Sequence, residues 1–301
     1  MDGSVARPRP MLAIGLRLIT AVVFATMAML VKLAGERGVH LVEMIFWRQI
    51  ITLTLITGGL AILGKLAILR TKRIKSHAGR AVMGGVGMLF TYGAVLLLPL
   101  AEATTLSYTA PFFAVVIAVT MFGERVGKFR SAAVIIGFAG VLIVMQPGSG
   151  GEEITLAGVA VALIAAAMVA MISFQVQDLN KTETPWTIIF WFTALTAPIL
   201  IIAMPFVAVA HDRETWMIVI AMALCGGAAQ ILLTSSLRFG SASVVLLIDY
   251  TSLLWAIFYG WSVFDRTPPS TLWLGAPLII GAGVLIAWRE RVLAKAQAKP
   301  G

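Results

Sequence analysis

The 301-residue sequence is poor in the residues that build disulfides, metal sites and most enzyme active sites. Its one cysteine, Cys225, excludes an internal disulfide and a Cys-x-x-Cys metal or redox motif. The three histidines, His40, His77 and His211, have no metal-ligand spacing, and we expect each to be a solvated loop residue. No glycine-rich loop is followed by Lys-Ser or Lys-Thr, so nothing indicates ATP as an energy source. We therefore expect no metal, no cofactor and no enzyme activity.

Charged residues are scarce as well. They make up 12% of the chain, whereas soluble domains carry roughly 25%. Hydrophobic residues reach 59%, and the mean hydropathy is +0.95. Because so few polar residues cannot cover a water-facing domain, the composition excludes a soluble protein. It predicts an all-α integral membrane protein, since a helix satisfies its own backbone in lipid.

Ten apolar segments approach the length of about 20 residues that a helix needs to cross the hydrocarbon of a bilayer. The first follows a short basic N-terminus and lacks the short core and cleavage site of a signal peptide, so we interpret it as a retained span. The predicted spans are 11–33, 42–63, 81–99, 103–122, 131–146, 156–176, 186–209, 216–235, 244–263 and 272–288.

Basic residues predict the orientation of these spans. If the N-terminus is cytoplasmic, most of the 23 Lys and Arg residues fall in the termini or in the inner connections, chiefly 64–80 and 123–130. This bias follows the positive-inside rule and places both termini, 1–10 and 289–301, in the cytoplasm. The sequence pI of about 10.1 is then explained by orientation and by anionic lipid headgroups. We expect contact with membrane lipids and no nucleic-acid binding.

The sequence contains one pattern twice. Residues 101–125 read AEATTLSYTAPFFAVVIAVTMFGER and residues 242–266 read ASVVLLIDYTSLLWAIFYGWSVFDR, so each ends in an acidic residue and an arginine. Two further landmarks recur at a similar separation of about 140 residues, as expected for an internal repeat. They are Phe46-Trp47 with Phe190-Trp191, and Gly140-Val141-Leu142-Ile143 with Gly283-Val284-Leu285-Ile286. Because the landmarks occur in the same order both times, the sequence predicts two halves, 11–146 and 156–288, joined by a linker at 147–155.

Each half contains five predicted spans. Because five is an odd number, the second half enters the membrane upside down relative to the first. Inverted repeats of this kind are typical of transporters, since exchanging the conformations of the halves turns an outward-open cavity into an inward-open one. The sequence therefore predicts ten transmembrane helices in two inverted five-helix repeats that work by alternating access.

Several motifs stand out in this layout: Phe46-Trp47-Arg48, Leu106-Ser107-Tyr108-Thr109-Ala110-Pro111, Phe122-Gly123-Glu124-Arg125, Gly137 and Gly140. Together they resemble those of the drug/metabolite transporter superfamily, in its EamA-type branch. The resemblance covers residues 11–289 and implies a monomeric ten-helix bundle in a bacterial inner membrane, with a central cavity for small metabolites. Within the branch, the length and layout resemble aromatic amino-acid exporters. The second half departs from the pattern at Ser252 and Phe264, which align with Pro111 and Gly123.

Two charged residues inside the predicted spans are candidates for function. Arg48 lies in the second span, where it snorkels to the interface, clamps neighbouring helices or binds a substrate carboxylate. Asp249 lies early in the ninth span and is either a proton-coupling site or a boundary charge beside Arg238. Pro111 lies within the fourth span, where a proline bends a helix, and we expect it to act as a hinge.

Aromatic and neutral polar side chains complete the predicted binding pocket. The third and eighth spans carry matching clusters of small residues, which either let helices pack closely or let a cavity wall bend. These clusters are Gly84, Gly85 and Gly87 in one span and Gly226, Gly227 and Ala228 in the other. The predicted substrate-binding residues are Arg48, Thr91, Tyr92, Tyr108, Trp191, Gln230, Tyr250 and Trp255. This set favours a neutral or zwitterionic cargo over a polyanion.

We therefore expect a secondary transporter that exports amino acids, aromatic or otherwise neutral, along their own gradient or with a coupled proton. The alternative cargo is a nucleotide- or sulfonium-bearing metabolite or a hydrophobic drug. The alternative class is a membrane enzyme or a channel. An enzyme would be expected to show clustered His, Asp or Glu at catalytic spacing, which the sequence does not contain.

Overall fold

The computed structural model describes residues 10–122, 128–145, 154–239 and 250–297. Within these ranges the chain is helical and contains no β-strand, which confirms the predicted all-α membrane fold. The helices are α1 (Pro10–Glu36), α2 (Leu41–Ile62), a short 3-10 helix (Leu66–Leu69), α3 (Ile74–Leu97), α4 (Leu100–Ser107), α5 (Ala110–Phe122), α6 (Lys128–Met145), α7 (Leu156–Leu179), α8 (Pro185–Val207), α9 (Arg213–Phe239), α10 (Ser252–Phe264) and α11 (Ser270–Gln297).

Seven helical segments in the described ranges are long and apolar enough to cross a membrane. Three shorter apolar helices, within α6, α10 and α11, correspond to the fifth, ninth and tenth predicted spans. The fourth span consists of two helices, because the helix is interrupted at Tyr108 and Thr109 between α4 and α5. The ten predicted spans therefore all have a helical counterpart.

Local sequence signals set where several helices begin. α8 begins after Thr184, whose hydroxyl accepts a hydrogen bond from the first turn, and has Pro185 at its first position. Thr155 caps α7 in the same way. Gly38, with a φ of 81°, lets the chain reverse between α1 and α2, because a glycine adopts positive φ without strain. These short connections make successive helices antiparallel.

The helices pack in repeat-related pairs. α1, the first span of the first half, packs along α9, the third span of the second half. The repeat-related helices α7 and α3 pack along each other in the same way. α2 contacts α9 as α8 contacts α3, and α1 contacts α10 as α7 contacts α4 and α5. The pairs α2–α8, α4–α10 and α6–α11 join equivalent helices across the axis. This is the packing of a pseudo-two-fold bundle, and it places α2, α3, α8 and α9 together.

α6 and α11 meet through two glycines. A Cβ atom added to Gly275 would lie 2.7 Å from the carbonyl oxygen of Gly140, and one added to Gly140 would lie 2.9 Å from the carbonyl oxygen of Gly275. The two backbones are therefore in direct contact. Small residues are common where membrane helices cross this closely, since dispersion between backbones replaces the hydrophobic effect as a driving force.

The two ends of the bundle differ in charge. We call the end formed by residues 63–73 and 180–184 the basic end, and the end formed by residues 37–40 and 208–212 the opposite end. At the basic end, Arg73 forms an ion pair with Asp178. At the opposite end, Arg37 forms an ion pair with Glu214 at 3.0 Å. Each ion pair joins the first half of the chain to the second.

Candidate functional site

A layer of polar side chains lies where α2, α3, α8 and α9 meet. We call it the central polar layer; it consists of Arg48 and Gln49 from α2, Arg80 and Tyr92 from α3, and Thr196 from α8. All five are buried, although most of the surrounding core is apolar. Polar groups inside a membrane protein are costly unless they are paired or hydrated, so these residues are candidates for function.

Arg48, a predicted substrate-binding residue, is 7% exposed. Its Nη1 atom donates to the sulfur of Met88 at 3.3 Å, and a thioether is a weak acceptor. The side chain passes α9 at Gly226, where an added Cβ would lie 2.5 Å from Nε. The guanidinium is thus held inside the bundle instead of extending to the membrane surface.

Arg80 is a second buried arginine, which the sequence analysis counted in the basic connection 64–80. α3 begins before it, so Arg80 lies inside a helix and is 7% exposed. Its guanidinium lies over the ring of Phe192, 4.4 Å from the centroid, in a cation–π contact. Its Nε and Nη1 atoms are buried and have no hydrogen-bond partner among the described residues. The central polar layer therefore contains two cations where one was expected.

The other members of the layer connect the helices. Tyr92 is 2% exposed, and its hydroxyl donates to the sulfur of a methionine in α1 at 3.8 Å. Gln49 Nε2 donates to Thr196 Oγ1 at 2.5 Å, which links α2 to α8. Thr91, also a predicted binding residue, is half-buried and donates its hydroxyl to the carbonyl oxygen of Gly87 at 2.8 Å.

The small-residue clusters of α3 and α9 make room for the two arginines. Gly84 faces Arg80 and Gly226 faces Arg48, so a Cβ at either glycine would collide with a guanidinium side chain. The glycines therefore leave space for two arginine side chains between closely packed helices. The sequence predicted either close helix packing or a cavity wall that bends, and this arrangement is neither of those alone. Gln230, a predicted binding residue, follows Gly226 by one turn of α9.

Tyr108 and Tyr250, both predicted binding residues, contact each other between the fourth and ninth spans, and not in the central polar layer. Their rings pack edge to face with centroids 4.8 Å apart. The Tyr108 hydroxyl lies 2.7 Å from the Ser252 hydroxyl and donates to the carbonyl oxygen of Tyr250 at 3.3 Å. Tyr108 marks the interruption between α4 and α5, and Tyr250 precedes α10. The contact therefore joins the equivalent fourth and ninth spans.

Pro111 lies in the first turn of α5 and not inside a continuous helix. The N–H groups of Phe112 and Phe113 bond to the carbonyl oxygen of Thr109, so the new helix starts there. A proline in a first turn removes no helical hydrogen bond, because an N–H at that position has no partner within the helix. The bend expected in the fourth span is thus a break between two helices, and Pro111 marks the start of the second.

Three predicted residues lie apart from Arg48 and Tyr92 or outside the described ranges. Trp191 lies at the basic end, where its Nε1 donates to the carbonyl oxygen of Leu69 at 2.9 Å. Trp255 is 37% exposed on α10 and packs beside an aromatic residue of the same helix. Asp249 lies outside the described residues. The structure therefore joins Arg48 and Tyr92 in one layer and does not bring the two tryptophans to it.

A glutamate and a histidine lie together at each end of the bundle. At the opposite end, Glu43 Oε1 is 3.0 Å from His211 Nε2. At the basic end, Glu183 Oε1 is 3.9 Å from His77 Nε2, and neither ring nitrogen of His77 has a hydrogen-bond partner among the described residues. The pair at the opposite end is thus within hydrogen-bond distance, and the pair at the basic end is at ion-pair distance. The expectation that His77 and His211 are solvated is wrong, because their side chains are buried.

The two pairs occupy similar positions in the two repeats. Each glutamate lies near the start of the second span of its half, ahead of the recurring Phe-Trp, and each histidine near the start of the third. Trp47 Nε1 donates to Glu43 Oε1 at 3.4 Å, and the Trp191 ring lies 6.2 Å from that of His77. The two groups are alike in composition, although the Phe-Trp repeat aligns Glu43 with Thr187 and not with Glu183.

The two ends also differ in free space. A cavity of about 380 Å³ lies at the basic end between α3, α5 and α7, and its lining includes Ser76, Gly79 and Gln175. The Oε1 atom of Gln175 is buried without a hydrogen-bond partner among the described residues. At the opposite end, the space beside Lys32 and Glu102 is about 20 Å³. The cavity at the basic end is therefore the larger of these two spaces.

Comparison with known proteins identifies the family. The model of the EamA-like transporter family matches the chain in two segments, residues 11–146 and 156–288. The chain belongs to the EamA-like transporter family. It is therefore a membrane transporter of the drug/metabolite superfamily, and the central polar layer lies inside its helical bundle.

Several curated relatives of this EamA protein are transporters of small molecules. A riboflavin transporter of Brucella anthropi is 29% identical over 87% of this chain and 94% of the relative. One from Rhizobium johnstonii is 32% identical over 75% and 74% of the two chains. The pseudopaline exporter CntI of Pseudomonas aeruginosa is 26% identical over 69% and 73%. A solved crystal structure covers 93% of this EamA protein and 98% of that chain with a TM-score of 0.60; at 18% identity it shows the fold alone.

Sequence reasoning missed Arg80, Gln49 and the two Glu–His pairs of this EamA protein. One signal was available for Arg80, because starting the third span one turn earlier would have placed it inside the membrane. The recurring Phe-Trp also marked the region of both glutamates. No pattern within a single span pointed to the histidines, since each contacts a residue far away along the chain.

Proposed function

We propose that this EamA transporter exports small organic metabolites by alternating access, with amino acids as the first candidates. The observation that carries the proposal is the unequal spacing of the Glu–His pairs at the two ends. Glu43 and His211 lie within hydrogen-bond distance, at 3.0 Å. His77 and Glu183 lie at a longer ion-pair distance of 3.9 Å, at the end where a cavity of about 380 Å³ lies. Equivalent repeats in different states are what alternating access requires.

In this mechanism each Glu–His pair is a latch on one mouth of the transporter. A glutamate and histidine that share one proton carry no net charge, so they can be buried together. Separated, either partner is a charge or an unsatisfied polar group that is costly to bury and favours hydration. The latch therefore forms when its mouth closes and separates when water enters.

The central polar layer is the proposed substrate site. Arg48 binds a carboxylate of the cargo, and Tyr92 and Thr91 contribute from α3. Gln230 contributes from α9. Tyr108, Tyr250 and Trp255 border the path between the fourth and ninth spans, and Trp191 borders the basic end. Support comes from burial of Arg48 without an ion pair among the described residues.

A second candidate cargo comes from the curated relatives, which are named as riboflavin transporters and pseudopaline exporters. A riboflavin-like metabolite is therefore the first alternative to an amino acid. Nucleotide- or sulfonium-bearing compounds and hydrophobic drugs are further alternatives within the same function. Each can be offered as a separate substrate in one assay.

Counterflow in proteoliposomes tests the proposal. Vesicles loaded with an excess of unlabelled substrate should transiently accumulate the labelled form, and the rate should saturate with concentration. Amino acids and riboflavin are tested in separate arms, and protein-free vesicles measure the leak. Uptake that rises linearly without counterflow would indicate a channel and reject a carrier.

We propose that the basic end faces the cytoplasm, as the positive-inside rule indicates. Lys72 is exposed at the basic end and Val209 at the opposite end. In a Cys225→Ser background, an impermeant maleimide should label Val209→Cys in spheroplasts and Lys72→Cys only after lysis. The reverse pattern contradicts this orientation and leaves the fold unchanged.

Pro111→Ala should slow transport while leaving the protein inserted and folded. The new N–H can bond to the carbonyl oxygen of Ser107, so α4 and α5 can join into one stiffer helix. We expect flux to fall about tenfold, equivalent to roughly 1.4 kcal/mol of activation free energy. Pro277→Ala, inside α11, is the matched control. Equal flux for Pro111→Ala and the wild type, at equal abundance, removes the hinge role.

A further inference from the structure

The charge of the central polar layer is unbalanced. Arg48 and Arg80 are both buried, and neither forms an ion pair within the described part of the chain. Arg48 is also close enough for its positive charge to act on Arg80. By contrast, the buried Glu43 has a histidine beside it. Two like charges in a medium of low dielectric are destabilising, and an anion between them would relieve both.

The two guanidinium groups also have unused hydrogen-bond donors. A guanidinium carries five N–H donors in a planar fork that matches a carboxylate. Arg80 leaves Nε and Nη1 without a partner among the described residues. Arg48 Nη1 donates to a thioether sulfur, which is a weak acceptor. The layer therefore presents buried donors to which a ligand with carboxylate oxygens is complementary.

The spacing of the two arginines limits the shape of the ligand. Arg80 packs at Gly84 and Arg48 at Met88, and these two residues are four positions apart on α3. Four residues of α-helix correspond to about 6 Å along the axis. Two separate carboxylates on a short carbon chain fit this spacing better than a single phosphate on which both arginines would have to converge.

We infer that Arg48 and Arg80 form a binding site for a small metabolite that carries two carboxylate groups. This inference rests on the transport function proposed above and names its class of cargo, which includes an acidic amino acid or a simple dicarboxylate. A neutral amino acid fits less well, because its ammonium group would enter a layer that already holds two positive charges. The inferred cargo therefore differs from the neutral one favoured by sequence.

Arg80 lies nearer the basic end of the bundle than Arg48, because it is in the second turn of α3. The ring of Phe192 holds the Arg80 guanidinium by a cation–π contact. A carboxylate arriving from the basic end can take Arg80 from this weaker contact, since a charge-assisted hydrogen bond is the stronger interaction. Arg48, on α2, lies further from that end and takes the second carboxylate.

Thermal stabilisation of the full-length protein in detergent tests the site without requiring transport. Glutarate, succinate and glutamate are the dicarboxylate probes; butyrate and leucine carry one carboxylate; glycerol 3-phosphate carries a phosphate ester. A ligand that binds only the folded state raises the apparent Tm. We expect the dicarboxylates to raise it and the other probes to leave it unchanged. Stabilisation by the phosphate ester or by leucine but not by dicarboxylates overturns the inference.

Substitutions identify the residues that bind. Arg80→Gln and Arg48→Gln should each weaken the apparent affinity for glutarate about 10- to 100-fold, the effect of removing a charge-assisted hydrogen bond. Arg80→Lys should recover part of it, since it keeps the charge and loses the fork. Arg37→Gln, at an exposed arginine of the opposite end, is the matched control and should bind normally.

A structural role for Arg80 gives a different result. Without ligand, Arg80→Gln should be at least as stable as the wild type, because an unbalanced buried charge has been removed. If Arg80→Gln is less stable and still binds glutarate normally, Arg80 only supports packing and the inference is rejected. Phe192→Leu keeps the charge and removes the ring, so it should still bind glutarate even if Arg80→Gln does not fold.

The same probes separate this inference from the transport proposal. Saturable counterflow of leucine or riboflavin, with no competition by glutarate, rejects the dicarboxylate site and retains the transporter. Stabilisation by glutarate that depends on both arginines, without counterflow of any probe, retains the site and rejects the proposed export.

Discussion

Gly275→Ala should lower the stability of the protein by about 1–3 kcal/mol, the usual range for overpacking a tightly packed contact. The added Cβ would lie 2.7 Å from the backbone carbonyl oxygen of Gly140 and 2.5 Å from a methyl carbon of Val144. A side chain can rotate away from a new atom, but a backbone carbonyl in a helix cannot. The substitution must therefore move α11 away from α6 along their crossing.

The matched control for this prediction lies on the same helix. Gly281 has nothing within 4 Å of an added Cβ, so Gly281→Ala brings no collision and should be neutral or slightly stabilising. Heating each variant in detergent and measuring the remaining monodisperse protein gives the comparison. If Gly275→Ala and Gly281→Ala have the same apparent Tm, the backbones of α6 and α11 are not in the contact described here.

His211→Gln should open the closed mouth of the transporter. The substitution removes the imidazole from a carboxylate that is 1% exposed, so the Glu43 charge is left with only a hydrogen bond from Trp47 at 3.4 Å. An uncompensated buried charge of this kind is destabilising by about 3–5 kcal/mol. Opening the mouth to water, or binding a proton, is the way to relieve it.

Labelling of a buried cysteine measures this opening. Val39 is buried at the opposite end, so in a Cys225→Ser background Val39→Cys should react slowly with an impermeant maleimide. Adding His211→Gln should raise the rate at least about tenfold, which corresponds to 1.4 kcal/mol or more. Adding Glu43→Gln as well should restore slow labelling, because the buried charge is then gone.

The control for this experiment is another charge at the same end. Arg37→Gln breaks the exposed ion pair with Glu214, and exposed pairs contribute at most about 1 kcal/mol. It should leave labelling of Val39→Cys close to the parent rate. Rapid labelling in Arg37→Gln together with slow labelling in His211→Gln would show that the ion pair, and not the Glu–His pair, closes this mouth.

Hydropathy predicted the membrane fold because it reports a local property. Each span satisfies its backbone hydrogen bonds within its own helix, so about 20 apolar residues are enough to identify it without knowing its neighbours. The recurring landmarks, such as Phe46-Trp47 and Phe190-Trp191, likewise indicated the internal repeat. The membrane class, the ten spans and the family follow from such local and repeated patterns. The same local patterns place Arg48 inside a span, so the sequence also predicts it as a charge within the membrane.

Span boundaries were less certain, and this affected the predicted cargo. The third span was placed from residue 81, but α3 begins at Ile74, so Arg80 lies inside the helix and not in the basic connection. Because the predicted start of the third span is about two turns too late, Arg80 was predicted to be solvated, whereas the structure buries it. The sequence prediction of a neutral cargo rests on a residue set with one arginine and several aromatic and neutral polar groups, whereas the structure buries two arginines.

Only the tertiary structure decided which polar residues meet. Glu43 and His211 are far apart in sequence, and Gly226 adjoins Arg48 from a different half of the chain. In a water-soluble helix, the apolar stripe shows which face is buried. In a membrane helix, lipid and protein core are both apolar, so the sequence carries little information about rotation around the helix axis. Contacts between faces, and therefore the two-arginine layer and the Glu–His latches, depend on that rotation and appear only once the helices are packed.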